Sequence, residues 1–378
     1  MEAFEYQGSI EQFLCEKATL NCTPINAILE LTPLCNMNCD MCYIRLNKDE
    51  MHQKGQLRSA KEWIDLANHM KDAGTLFVLL TGGEPLAYPD FKEVYLALKK
   101  MGMILTINTN GTLIDKKWAD FFKKYPPRRI NITLYGKDEK TYKELCHYTH
   151  GFQKTLKALQ LLKERNVDIK VNGSITPANI DDLNDLVSIV ESMKIPWKFD
   201  TYMYPVTRER EQIFNQKSRL SPEQAAEARV YLMRKKNGDD CFREYAREFL
   251  KKSHVASGKN VPPPVECRAG RSSFIVNWQG MMRPCVMMSY PEVPVFETGF
   301  KKGWQKIVEE VAGIRLNLQC NVCAMREVCQ RCAACVVSET GDFDGVPEYM
   351  CQYTEATIKF LQKEIEKAEK SQDVTEKK

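Results

Sequence analysis

The sequence predicts an α/β chain: a partial (β/α)6 barrel followed by a small, cysteine-rich C-terminal domain. Three observations carry that expectation. From residue 26 to about 204, short β-rich runs alternate with helical patterns, the signature of repeated βα units around a parallel sheet. There are six such runs, fewer than the eight strands of a closed (β/α)8 barrel. Of fifteen cysteines, Cys267, Cys285, Cys320, Cys323, Cys329, Cys332, Cys335 and Cys351 crowd into the last third, apart from a triplet near the start.

Residues 1–25 read as a lead-in, and residues 26–205 as the barrel. Its strands are expected at Asn26–Leu31, Leu76–Thr81, Ile104–Asn108, Ile130–Tyr135, Ile169–Ile175 and Trp197–Tyr202, with helices over roughly 59–73, 90–101, 115–124, 151–165 and 179–193. Right-handed crossovers curl such units together, and the loops at the strand C-terminal ends form the site. Residues 206–265 read as a charged, mainly helical bridge. There Ser221-Pro-Glu-Gln224 supplies an N-cap, a proline at the first helical position and a capping box. Val261-Pro-Pro-Pro-Val265 then stiffens the chain. The cysteine-rich domain follows over 266–352, and 353–378 reads as a helix (about 354–369) with a fraying Lys- and Glu-rich tail.

A chain of 378 residues, 43% apolar and 28% charged, can bury a full core. Its net charge of +4, from 54 basic and 50 acidic residues, makes no field that would recruit nucleic acid. The longest apolar stretches are too short to cross a bilayer, and the acidic start lacks the pattern of a secretory signal. The expectation is therefore a cytoplasmic protein with no membrane or nucleic-acid partner. In that reducing setting, fifteen cysteines point to metal rather than to disulfides.

Cys35, Cys39 and Cys42 follow the first strand, separated by three and two residues. Three thiolates hold three irons of a cubic 4Fe-4S cluster and leave the fourth iron open. The alternative is a zinc knuckle, but structural zinc sites pair cysteines as two C-x-x-C hairpins. Thr81-Gly-Gly-Glu-Pro85 follows the second strand. Alone it is a strand-to-helix turn, although glycines also allow close backbone approach. Asn108-Thr-Asn-Gly111 and Asn131-Ile-Thr-Leu-Tyr-Gly136 end the next two strands and direct polar groups to the lumen by the two-residue period. Asn172, Ser174, Asp200, Tyr202 and Tyr204 are further lumen candidates. Packing or strand-end hydrogen bonding explains each of them equally well.

The cysteine triplet together with the Gly-Gly-Glu-Pro run resembles the signature of the radical S-adenosylmethionine (SAM) enzymes. That resemblance implies a cluster whose open iron chelates SAM and whose electron cleaves it to a 5'-deoxyadenosyl radical that abstracts a substrate hydrogen. It also implies SAM contacts from Gly82, Gly83, Glu84 and Pro85, from Thr133 where relatives carry a serine, and from Asn110 and Tyr43. Met41 stands where the family places an aromatic residue before the third cysteine, and Tyr43 lies just beyond. The arginine that often follows the serine in relatives is absent between Lys137 and Gly151, so carboxylate recognition is unassigned. No catalytic acid or base is assigned either.

The run Cys267-x12-Gly280-x4-Cys285, then Cys320-x2-Cys323-x5-Cys329-x2-Cys332-x2-Cys335, then Cys351, resembles the SPASM domain, an extension that carries two auxiliary 4Fe-4S clusters. By that resemblance one cluster uses Cys267, Cys285 and either Cys332 or Cys335. The other uses Cys320, Cys323, Cys329 and Cys351. The family places three residues after the third cysteine of the C-x2-C-x5-C run, whereas here there are two or five; Cys332 is favoured and Cys335 is the spare. A zinc ribbon or redox dithiol accounts for only part of the set. Cys15, Cys22, Cys146 and Cys241 have no partner spacing and read as ordinary thiols.

The resemblance spans residues 26–352 and implies a radical SAM oxidoreductase that passes a substrate electron to auxiliary clusters. SPASM members most often modify peptides, so the expectation is a maturase that crosslinks or dehydrogenates a ribosomally made peptide, with flavodoxin or ferredoxin as reductant. The lead-in is short for a leader-binding domain, which leaves recognition to a separate leader-binding protein or to the bridge. The alternative is a small-molecule oxidoreductase acting on a tetrapyrrole side chain or a sugar alcohol. A non-catalytic iron–sulfur carrier or zinc scaffold would cleave no SAM.

Overall fold

The computed structural model describes residues 9–205, 218–256 and 258–376. Residues 206–217, the first part of the predicted bridge, lie outside the described residues. Six parallel strands appear where the sequence places them, with ends shifted by one or two residues: β1 Asn26–Glu30, β2 Phe77–Thr81, β3 Ile104–Thr109, β4 Arg129–Thr133, β5 Ile169–Ser174 and β6 Trp197–Asp200. Each pairs with its sequence neighbour. Alternation sorts their side chains. Leu105 and Ile107 of β3 and Ile130 and Ile132 of β4 are fully buried under the helices, while Asn108, Asn131 and Thr133 are only partly covered on the concave face.

The helices are α1 Ser9–Leu20, α2 Lys48–Lys54, α3 Ala60–Asp72, α4 Phe91–Lys100, α5 Lys116–Lys124, α6 Glu139–Cys146, α7 Gly151–Lys163, α8 Leu183–Ser192, α9 Pro222–Asn237, α10 Asp239–Lys252, α11 Val295–Thr298, α12 Phe300–Gly313, α13 Leu318–Asn321, α14 Ala333–Thr340 and α15 Glu348–Glu376. Helix α3 shows why these segments coil. Ser59 and Glu62 close a capping box, and Trp63, Leu66, Ala67 and Met70 form one buried stripe at helical spacing. The capping box expected at Ser221 and Gln224 opens α9.

Within residues 1–205 three helices were not expected, α1, α2 and α6, and none of α11 to α14 in the cysteine-rich segment was expected either. Within the lead-in, α1 buries Cys15 and Ala18 against Ile25. Helix α6 starts on Asp138, whose side chain accepts the Thr141 amide, and buries Tyr142, Leu145 and Cys146. The C-terminal helix is longer than 354–369 and begins before Cys351 rather than after it.

The sheet does not stop at six strands. β7 (Ser273–Val276) lies parallel beside β1, with Asn26 opposite Ser273, and β8 (Met281–Arg283) and β9 (Val293–Pro294) follow antiparallel. The order is β6-β5-β4-β3-β2-β1-β7-β8-β9, so one sheet runs through the barrel and into the cysteine-rich segment. Trp304 of α12 donates its indole N–H to the Cys22 carbonyl at 2.8 Å, tying that segment to the end of α1. Beside β6, Ile358 and Leu361 of α15 pack with Val230 of α9 and Phe242 and Phe249 of α10. Each such fully buried side chain contributes about 1.5–3 kcal/mol. Among the described residues, no helix is long and apolar enough to cross a membrane.

Candidate functional site

The loop after β1 carries the cysteine triplet, and main-chain hydrogen bonds fix it from two sides. On one side the Gly83 amide donates to Thr32 O (2.7 Å) and the Glu84 amide to Leu34 O (2.9 Å). The glycines make this approach possible. A Cβ on Gly82 would lie 2.4 Å from Thr32 O, and one on Gly83 would lie 2.5 and 2.6 Å from the Leu34 and Pro33 carbonyls. The run therefore docks one loop on another, a role the sequence reading did not give it. On the other side, the Asn38 amide donates to Cys146 O (2.9 Å) and the Asp40 amide to Leu145 O (3.1 Å), so the end of α6 grips the loop. His147 adds a 2.7 Å contact to Asp40.

Within this frame the Met37 amide donates to Cys35 Sγ (3.4 Å) and the Arg45 amide to Cys42 Sγ (3.3 Å). Cys39 lies against Cys146, whose thiol contact, together with burial, pushes the Cys39 thiol up; the Tyr135 hydroxyl opposes this. Tyr135 is itself within electrostatic reach of Cys39, Cys146, Cys35 and Cys42, so these sulfurs share one buried environment. Cys146 therefore has a partner that its sequence spacing did not suggest.

Glu84 is fully buried and accepts three hydrogen bonds: from the Leu86 amide (3.1 Å), the Thr109 hydroxyl (2.7 Å) and the Asn110 amide (2.8 Å). Burial nevertheless pushes its carboxyl up to about 7. Asn110 turns its side-chain amide toward Cys35 Sγ (3.7 Å) and Asn36 Oδ1 (3.0 Å). Burial and the neighbouring Glu84 raise the Cys35 thiol. Tyr43 donates to Glu30 Oε1 at 3.2 Å. Glu30 is fully buried at the end of β1, and the sequence reading missed it, because a single carboxylate closing an apolar strand carries no periodic signal. Thr133 ends β4 on the concave face opposite Asn172 of β5, one residue beyond the Thr109–Ile132 pair and so next in register to Asn110.

The residues fit an iron–sulfur cluster better than a single ion. Among the described residues, no three His, Cys, Asp or Glu side chains gather closely enough to hold one metal ion, whereas a cubic cluster takes each thiolate on a separate iron. Amide donors aimed at Cys35 and Cys42 suit thiolate ligands.

The C-terminal cysteines form two groups. Cys351 is pushed up to about 11 by burial and then by the nearby Cys329, Cys320 and Cys323, the set that the SPASM resemblance implies. In the other group the Tyr204 hydroxyl lies 3.8 Å from Cys332 Sγ and within electrostatic reach of Cys285 and Cys335. Cys267 lies within reach of Cys332. The Tyr202 hydroxyl shares its proton between Glu339 Oε1 (2.7 Å) and Cys335 Sγ (3.2 Å). Glu339 is paired with Arg219, whose guanidinium lies over the Tyr349 ring. Tyr202 and Tyr204 follow β6, so the exit of the last barrel strand touches this second group directly. A cavity of about 830 Å³ runs from Lys170, Lys198 and Asp200 on the barrel strands to Arg229 of α9 and to Cys329.

Residues 29–190 match the family model described as the radical SAM superfamily. An AdoMet-dependent heme synthase of Methanosarcina barkeri is 22% identical over 336 residues, covering 83% of this chain and 92% of its own. The sporulation killing factor maturation protein SkfB of Bacillus subtilis is 25% identical over 48% of this chain and 40% of its own. Among solved structures, Streptococcus suis SuiB bound to precursor peptide SuiA superposes with a TM-score of 0.65 at 18% identity, over 90% of this chain and 78% of that one. Native anSMEcpe with bound AdoMet superposes with a TM-score of 0.68 at 16% identity, over 91% of this chain and 99% of that one.

Proposed function

From the radical SAM domain at residues 29–190, we propose that this chain is a radical SAM oxidoreductase with a SPASM-type C-terminal domain that modifies a ribosomally made peptide by crosslinking or dehydrogenation. When bound, the first cluster and SAM supply a hydrogen-abstracting radical, and the C-terminal clusters supply an acceptor for the second electron. Cys35, Cys39 and Cys42 would hold the first cluster. By the resemblance, contacts to SAM would come from Gly82, Gly83, Glu84, Pro85, Asn110, Thr133 and Tyr43, and the hydrogen bonds of Glu84 to the Thr109 hydroxyl and Asn110 amide support a shared site at the ends of β2 and β3.

The observation that carries the oxidative part is the contact of Tyr202 and Tyr204 with Cys335 and Cys332. It sets a sulfur-rich centre against the exit of the last barrel strand, a suitable place for an acceptor that takes the electron left on a substrate radical in the lumen. The cavity beside β6 has room for a peptide segment. A peptide substrate is favoured by SuiB in complex with its precursor peptide and by peptide-modifying relatives such as SkfB.

A second reading has its own support: the relatives aligned over 83% and 86% of this chain are named heme synthases, which favours a tetrapyrrole side chain as the oxidised group. One experiment separates the two. Anaerobically reconstituted protein with reductant and SAM is given either the peptide encoded beside its gene or an iron tetrapyrrole bearing carboxyethyl groups. Expected is 5'-deoxyadenosine with loss of two hydrogens from the peptide, abolished by Cys35→Ala. Oxidation of the tetrapyrrole with an unchanged peptide would transfer the assignment to the second reading.

A further inference from the structure

Cys335 has no role in the sequence pattern, yet it is 1% exposed and, although it lies in the apolar core, it accepts a hydrogen bond from the Tyr202 hydroxyl at 3.2 Å. Its neighbour Cys332 is the N-cap of α14, and the Cys335 amide donates to Cys332 Sγ at 3.4 Å. The cap residue and the third helical residue are the positions that a capping box joins, each side chain to the other's backbone amide. The irregular two-residue spacing thus sets two cysteines at the start of one helix, where burial pushes the Cys335 thiol up to about 12.

Around this pair, the Tyr204 hydroxyl lies 3.8 Å from Cys332 Sγ and within electrostatic reach of Cys285 and Cys335, Cys267 is within electrostatic reach of Cys332, and the Tyr202 hydroxyl donates to Cys335 Sγ at 3.2 Å. The remaining thiols are committed or remote. Cys320, Cys323 and Cys329 lie within electrostatic reach of Cys351, Cys146 contacts Cys39, Cys15 accepts from Asn26, Cys22 lies just after α1, and Cys241 is exposed on α10. Three thiolates alone would leave one iron to an outside ligand. The fully enclosed thiol beside them stands ready to take that position.

We infer that Cys335 is the fourth thiolate ligand of the cluster held by Cys267, Cys285 and Cys332, so that this cluster is closed to substrate and serves only to accept an electron. This rests on the reading above that the C-terminal cysteines bind iron–sulfur clusters. The test uses the full chain with Cys35, Cys39 and Cys42 all changed to Ala, so that only C-terminal iron is read. Reconstituted with ⁵⁷Fe, it should hold about eight irons, and added ¹³C-cyanide should give no hyperfine coupling in the reduced cluster spectra. Adding Cys335→Ala should create that coupling and produce a three-iron cluster on oxidation, whereas Cys241→Ala should change nothing.

Cyanide coupling with Cys335 intact would overturn the inference without requiring any variant at that buried position. Unchanged spectra after Cys335→Ala would overturn it as well. A chain that binds no iron once the first triplet is removed would instead overturn the cluster reading itself, and the ligand assignment with it.

Discussion

The two cysteine regions are built by opposite means. The N-terminal triplet sits on one short loop gripped by main-chain hydrogen bonds from the glycine run and from the end of α6, so its shape is set by the fold before any metal arrives. The C-terminal cysteines are scattered from 267 to 351 on loops, on short elements such as the four-residue α13 and on the first turn of α15. Around Cys332 and Cys335, side chains add to the main-chain bonds: Tyr202, Tyr204, Glu339 and Arg219. The difference teaches that the first site is organised by the sheet, whereas the second, on the proposed reading, would need its bound clusters to complete its structure.

The hardest test of that contrast is Gly83→Ala. The new methyl would collide with two carbonyls of the cysteine loop and displace it. SAM cleavage should fall by about 100-fold or more, as expected when reacting groups are misplaced by about 1 Å. Iron in the C-terminal groups should survive, as total iron and the deoxyadenosine yield would show together. Equal iron loss at both ends would break the contrast.

Removing iron with a chelator comes next. Amides in β1 to β4 should keep their hydrogen-exchange protection, while those in residues 318–335 should exchange about tenfold faster or more. Uniform loss of protection would mean that the fold does not preform the first site. A smaller effect is expected from Tyr202→Phe, which removes the donor shared by Glu339 and Cys335. Thermal or denaturant unfolding should show a loss of about 1 kcal/mol, together with a shift in the midpoint potential of the C-terminal clusters only. The smallest belongs to His147→Ala. Its contact with Asp40 is half-exposed, worth at most about 0.5 kcal/mol, and the main-chain grip of α6 should hold the loop without it.

Much of the barrel was legible because its strands are local apolar runs of period two, and all six appear within a residue or two of their expected ends. Helix α6 left a readable signal that was passed over: Asp138 at an N-cap position, then Tyr142 and Leu145 three residues apart. The pairing of β7 with β1 left none, because strand partners almost 250 residues apart are chosen by the assembled core rather than by either segment. The same holds at the sites. The SPASM resemblance grouped Cys320, Cys323, Cys329 and Cys351, of which the first three lie within electrostatic reach of Cys351, yet it ranked Cys332 against Cys335 as alternatives. On the inference above both become ligands, because a helix starts between them and puts both cysteines at one end. Cys146 and Glu30 were invisible because what matters about them is the neighbour across the fold.

That β1–β7 pairing bears on how the protein is made. The strand leading into the cysteine loop has its outer edge covered by a strand that leaves the ribosome roughly 10–50 s later, at about 5–20 residues per second. Until then β1 presents an open row of amide and carbonyl groups, the kind of edge that pairs with other chains. Iron delivery to the N-terminal loop is therefore expected to follow translation, and a nascent chain arrested before residue 273 should need a chaperone to stay in solution.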